Sequence, residues 1–187
     1  MKNLIWLKVG LALALVWTTA AGPAPSTRAQ VTTSVRVLPA GGTYAVGSTR
    51  LVEVSVENVV DLYGAEIHLS FEPERLRIID PNPGTASIEL TLSDDLLSPP
   101  WFDLSQASNV SGTVQYAVTQ TGESQPVSGS GALFTFTVEM LSEGMADLTI
   151  TTLLLSTQDA EQIPAEAHSA SYTIGTPFHQ FVPLIRR

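Results

Sequence analysis

The sequence predicts an all-β fold, a β-sandwich of nine short strands, and three observations carry that expectation. Between Gln30 and Gly175 the apolar residues fall in short runs that alternate with polar ones, most clearly in "YGAEIHLSF" and "LFTFTVEML". Turn-forming stretches separate the runs: "PAGGTYAVGS", "PNPG", "SGSG", "SEG" and "AEQIPAE". No longer stretch repeats with the period of an amphipathic helix. Alternation with a period of two gives each strand one buried and one wet face. Many such strands with Gly and Pro between them form a sandwich.

In chain order the expected strands are Ser34–Leu38, Leu51–Glu57, Tyr63–Phe71, Leu76–Ile79, Ala86–Leu92, Thr113–Thr119, Gly131–Leu141, Ala146–Leu155 and Ser169–Ile174. In the third, Tyr63, Ala65, Ile67, Leu69 and Phe71 share one face, and Glu66, His68 and Ser70 share the other. In the seventh, Leu133, Thr135 and Thr137 stand opposite Phe134, Phe136 and Val138. Strict alternation in the eighth puts Leu148, Ile150, Thr152 and Leu154 together. It leaves Leu153 and Leu155 facing outward beside Thr149 and Thr151. Residues 93–112 show no period and read as a long loop, with a helical turn at "SDDLL". Tyr63 and Tyr116 fall on inward registers.

The two ends lie outside this pattern. Lys2 and Lys8 flank the start of "VGLALALVWTTAA", and "AGPAPSTRAQ" follows. Charge, apolar run and small residues in that order mark residues 1–29 as a secretory signal peptide, cleaved after Ala20, Ala21 or Ala29. The run falls short of the roughly 20 residues of a membrane span; an uncleaved N-terminal anchor is the alternative. Residues 30–175 form the sandwich domain. Residues 176–187, "PFHQFVPLIRR" after Thr176, are a tail, read either as a sorting or attachment segment or as a loosely packed end.

Charge narrows the function. Both lysines lie in the leader, so from Gln30 onward six arginines face eighteen acidic residues. Such a surface lacks the clustered cations that nucleic acid requires and disfavours anionic lipid. With no cysteine there is neither a disulfide nor a thiolate metal site.

The stretch "ENVVDLYGAEIHLSFEPERLRIID" gathers Glu66, His68, Glu72, Glu74 and Asp80. Paired carboxylates serve glycosidases, but catalysis needs a concave, water-excluding site that one strand face does not supply. The motifs G-x-S-x-G and H-E-x-x-H are absent. Glu66 and His68 share a face, yet a metal centre needs ligands from a further element. No catalysis, no cofactor and no metal are therefore expected. Asn109-Val110-Ser111 fits a glycosylation sequon, a match frequent by chance.

The landmarks resemble a known family. "LVEVSVENVVDLYGAEIHLSFEPERLRIIDPNPG" is similar to the first half of a cohesin domain: a strand with V-x-N-V, a Gly-Ala strand, Phe71-Glu72-Pro73, and a turn ending Pro83-Gly84. "GSGALFTFTVEMLSEGMADLTI" resembles the second half, and "STQDAEQIPAEAHSASYTIG" the closing loop and strand. The resemblance covers about residues 32–175. It implies a nine-stranded jelly-roll module without catalysis, which binds a dockerin-type protein module in an extracellular or cell-surface assembly. It also implies that the partner lies across the sheet built from the third, fifth, sixth and eighth strands. Glu66 matches an acidic position early in the third strand; His68 has no counterpart carried over.

The expected partner-binding residues are Glu66, His68, Leu153, Leu155 and Asp159, an apolar anchor with a polar rim. A polysaccharide-binding module of the related sandwich type is the alternative partner reading. Trp101 would then be exposed rather than a lid over the core. A structural or adhesive surface domain is a third.

Overall fold

The computed structural model describes residues 32–175 except 86, 98–101 and 123. The expected signal segment, the tail and Trp101 lie outside the described residues. The described chain is all β, with strands β1 (Ser34–Leu38), β2 (Gly41–Tyr44), β3 (Thr49–Leu62), β4 (Gly64–Phe71), β5 (Leu76–Ile78), β6 (Ile88–Glu89) and β7 (Thr91–Leu92). They continue as β8 (Phe102–Ser108), β9 (Thr113–Thr119), β10 (Val127–Met140), β11 (Gly144–Ser156), β12 (Gln162–Ile163), β13 (Glu166–His168) and β14 (Ala170–Ile174).

Two sheets pack face to face. The smaller runs β13-β1-β3-β10-β5, with β7 also on β10. The larger runs β2-β14-β11-β4-β9-β8-β6, with β12 also on β11. The alternation read from the sequence fixes their inner faces: Val52, Val54 and Val56 of β3, Phe134, Phe136 and Val138 of β10, and Ile67 and Leu69 of β4 are buried. Tyr116 of β9 stacks on Phe134 of β10 at 4.5 Å between ring centroids, joining the two inner faces. Tyr116 thus points inward as expected, whereas Tyr63 sits half-buried between strands.

Long antiparallel strands must relieve accumulated twist, and β3 and β10 do so with bulges. Asn58 and Asp61 adopt φ of 55° each, a conformation that these two residue types tolerate. Their backbone N–H groups donate to Ser130 Oγ and Ser128 Oγ, each at 2.9 Å. A second fastening crosses between sheets. Asn109, in the β8–β9 turn, accepts from the Ile78 N–H and donates to the Ile78 carbonyl, both at 2.8 Å. The sequon nitrogen is therefore already committed to the fold.

Among the described residues there are fourteen strands where nine were expected. The region 93–112 holds β8, which has few apolar residues to show a period and owes its place to pairing with β9 on one side and β6 on the other. "GGTY" reads as a turn, yet it pairs in parallel with β14 as β2. The fifth expected strand breaks at the buried Leu90 into β6 and β7, which join different sheets. At "SDDLL" the chain makes bends instead of a helical turn, and Asp95 accepts a hydrogen bond from the Ala132 N–H at 3.1 Å.

Candidate functional site: the outer face of the larger sheet

β4 lies in the middle of the larger sheet, between β11 and β9, so its outward side chains are central to an open face. Register sets the rows. Glu66 stands between Leu154 of β11 and Ala117 of β9, and Leu104 of β8 follows Ala117. His68 stands between Thr152 and Gln115, and Gln115 accepts a hydrogen bond from Gln106 of β8 at 2.9 Å. Ser70 lies between Thr149 and Thr113. His68 Nε2 is 3.2 Å from Glu66 Oε1, as expected for side chains two apart on one strand.

The expected place of Leu153 and Leu155 is corrected. The β11–β4 register slips between Ile150 and Thr152, leaving Thr151 as an extra residue whose hydroxyl donates to the His68 carbonyl at 3.2 Å. A one-residue bulge moves every later side chain to the other face. Leu155 is therefore 1% exposed and belongs to the core, and Leu153 packs partly buried against it. Leu154 is the outward leucine, 45% exposed. The run Leu153–Leu155 reads equally well in either register, so the sequence carried no signal for the choice.

Small residues shape the surface beside Leu154. Gly64, Ala117, Thr119 and Ser156 surround a shallow depression of about 300 Å³ with Leu154 and Glu66 on its walls. A Cβ on Gly64 would come within 2.8 Å of Ser156 Oγ, so the bare backbone keeps the pit open. Asp159 is exposed in the turn that joins β11 to β12, beyond the same end of the sheet. That turn is closed by Thr157 N–H donating to the Glu161 carbonyl at 2.9 Å, with Ala160 at φ 61°.

The remaining acids are dispersed. Glu72 and Glu74 lie in the turn after β4, and Asp80 accepts from the Asn82 N–H at 2.9 Å in the next. Among the described residues no three His, Cys, Asp or Glu side chains come together as metal ligands. Among the aromatic residues whose side chains are described, Tyr44 and Tyr63 are half-buried and Phe71, Tyr116, Phe134, Phe136 and Tyr172 are buried. No described helix is long and apolar enough to cross a membrane. What this face offers is a flat, mixed surface with two apolar projections, Leu154 and, toward the start of β11, Met145, and with a small pit and a carboxylate beside Leu154.

No family model matches the sequence, and no curated protein matches it. Solved structures do. A non-cellulosomal cohesin from the hyperthermophilic archaeon Archaeoglobus fulgidus superposes with a TM-score of 0.58 at 16% identity, covering 78% of this chain and 93% of that one. The fold is that of a cohesin domain. A type I cohesin–dockerin complex from Clostridium thermocellum, Coh-OlpA with Doc918, gives 0.61 at 14% identity, covering 78% of this chain and 100% of that one. A type II cohesin domain from the cellulosome of Acetivibrio cellulolyticus gives 0.61 at 13%, covering 79% and 94%. The cohesin fold expected from the landmarks is thus present, with the third, sixth and eighth expected strands in one sheet. The fifth contributes only β6 to that sheet.

Proposed function

We propose that this chain is an exported, non-catalytic docking module that binds a dockerin-type protein through the outer face of its larger sheet. The observation that carries the reading is the row Leu154–Glu66–Ala117, an exposed apolar residue, a carboxylate and a small residue set side by side on a cohesin fold. Leu154, Glu66 and His68 form the centre of the surface and Asp159 its margin. An apolar anchor ringed by polar groups is the usual anatomy of a specific interface. A fold accommodates many functions, so the reading rests on this face as well as on the likeness.

Calorimetry of residues 30–187 against dockerin-type modules from the same source tests it. Binding by at least one module, lost in Leu154→Asp with thermal unfolding unchanged, is the expected result. A folded protein that binds none of them would remove the proposal. Export is tested separately by sequencing the N-terminus of the mature protein, which should begin shortly after residue 20 or at residue 30.

A further inference from the structure

We infer that Met145 is an oxidation site, at which a peroxide turns one end of the outer face of the larger sheet from apolar to polar while the domain stays folded, and that this weakens docking there. The chain has no cysteine and three methionines, so thioether sulfur is its soft oxidisable group. Met1 lies in the expected leader. The other two are close in sequence and opposite in environment. Met140, on β10, is fully buried in the core, whereas Met145, on β11, is 57% exposed. Met145 precedes the bulge at Thr151, so alternation is unbroken around it: Ala146 and Leu148 point inward, Met145 and Asp147 outward.

The neighbours of Met145 suit the oxidised form. It stands opposite Thr173 of β14, which stands opposite Thr43 of β2, and both threonines are exposed. The Thr173 hydroxyl donates to Met145 Sδ at 3.6 Å, and thioether sulfur is a weak acceptor. In the reaction a sulfur lone pair takes one oxygen atom from hydrogen peroxide, the O–O bond breaks, and the other oxygen leaves as water. Sulfur is oxidised by two electrons and the peroxide is reduced by two. The sulfoxide oxygen is the better acceptor for the Thr173 hydroxyl beside it. At Met145 this change requires no repacking of the core, whereas a sulfoxide on Met140 would place a polar group inside it. Of the two apolar projections on the face, Leu154 is kept and Met145 becomes polar. A partner laid across the sheet then loses an apolar contact at that end. This last consequence rests on the docking reading above; the chemistry does not.

The test treats the protein with hydrogen peroxide, cleaves it after glutamate and weighs the peptides; cleavage at Glu143 separates Met140 from Met145. In the folded protein Met145 should gain one oxygen nearly as fast as in the urea-unfolded chain. Met140 should react at least about a hundredfold more slowly, because its access waits on the unfolded fraction. The thermal midpoint of the singly oxidised protein should stay within about 2 °C of the parent. Equal rates at the two sites, a protected Met145, or loss of the thermal transition on single oxidation overturns the inference. With any dockerin-type module that binds, the oxidised protein should bind about fivefold more weakly. Methionine sulfoxide reductases should restore the binding, and Met145→Leu should bind alike before and after peroxide. A module that binds both forms equally overturns the effect on docking and leaves the docking reading intact. If no module binds, that reading fails and the peptide masses and thermal midpoint decide the oxidation site on their own.

Discussion

Leu154 stands across from Glu66 on the open face of the larger sheet, while its neighbour Leu155 stands across from Ala65 and is sealed in the core. The two leucines are chemically identical and adjacent in sequence. The bulge at Thr151 alone decides which is anchor and which is core. Ile150 N–H donates to Ser169 Oγ at 3.0 Å, and the Thr151 hydroxyl bonds the His68 carbonyl, so the bulge satisfies polar groups that the interrupted ladder leaves free.

The pair therefore separates stability from binding. Leu155→Ala should cost about 2–5 kcal/mol, the range for emptying a packed leucine site. Leu154→Ala should change stability by no more than about 0.5 kcal/mol, as for surface positions without special contacts. Urea unfolding of the two variants measures both. A larger loss for Leu154→Ala than for Leu155→Ala would mean that β11 keeps strict alternation.

Legibility followed the same physics. β4 was readable because its buried and wet residues alternate without interruption from Ala65 to Phe71, which also placed Glu66 and His68 correctly on one outward face. β8 was not, because its apolar content is low and its position comes from pairing on both edges. The pit was not readable either: Gly64, Ala117 and Leu154 are distant in sequence and meet only through the β4 registers. Sequence period locates faces; bulges and cross-strand partners decide what stands on them.

Asn109 should prove structural. Replacing it by alanine leaves both the N–H and the carbonyl of the buried Ile78 without their side-chain partner. Each unsatisfied buried group costs about 1–3 kcal/mol. Asn109→Ala is therefore expected to lower stability by about 2 kcal/mol or more in urea unfolding. Asn109→Asp should be comparably poor, since it loses the donor. An effect below about 0.5 kcal/mol would mean that water replaces both bonds without penalty.

Gly112 and Gly47 offer a matched comparison. Both have left-handed φ, 65° and 80°. Around Gly47 there is open space, whereas a Cβ on Gly112 would overlap the Phe71 carbonyl and crowd Pro73. Gly47→Ala should cost about 1 kcal/mol from backbone strain alone. Gly112→Ala should cost clearly more, because it also displaces the contact in which Phe71 N–H donates to the Gly112 carbonyl at 2.8 Å. Thermal midpoints of the two variants give the difference; equal midpoints would show that the β8–β9 turn yields freely.

Tyr172 ties alkaline stability to one side chain. It is fully buried, its ring meets Tyr44 edge-on at 5.6 Å between centroids, and its hydroxyl has no hydrogen-bond partner among the described residues. Burial, with a smaller contribution from Tyr44, holds its pKa well above the usual tyrosine range. The folded state thus keeps a proton that the unfolded chain releases near pH 10. Its contribution to stability is fully present below that pH and declines as pH rises above it, because the unfolded state binds fewer protons. Tyr172→Phe removes both the titration and an unsatisfied buried hydroxyl. The variant should match or slightly exceed the parent in stability at pH 7 and lose less stability between about pH 9 and 11. Urea midpoints across that range measure the slope. A variant that is much weaker at pH 7 would mean that the hydroxyl has a partner in solution, such as a buried water, and the expected gain would be refuted.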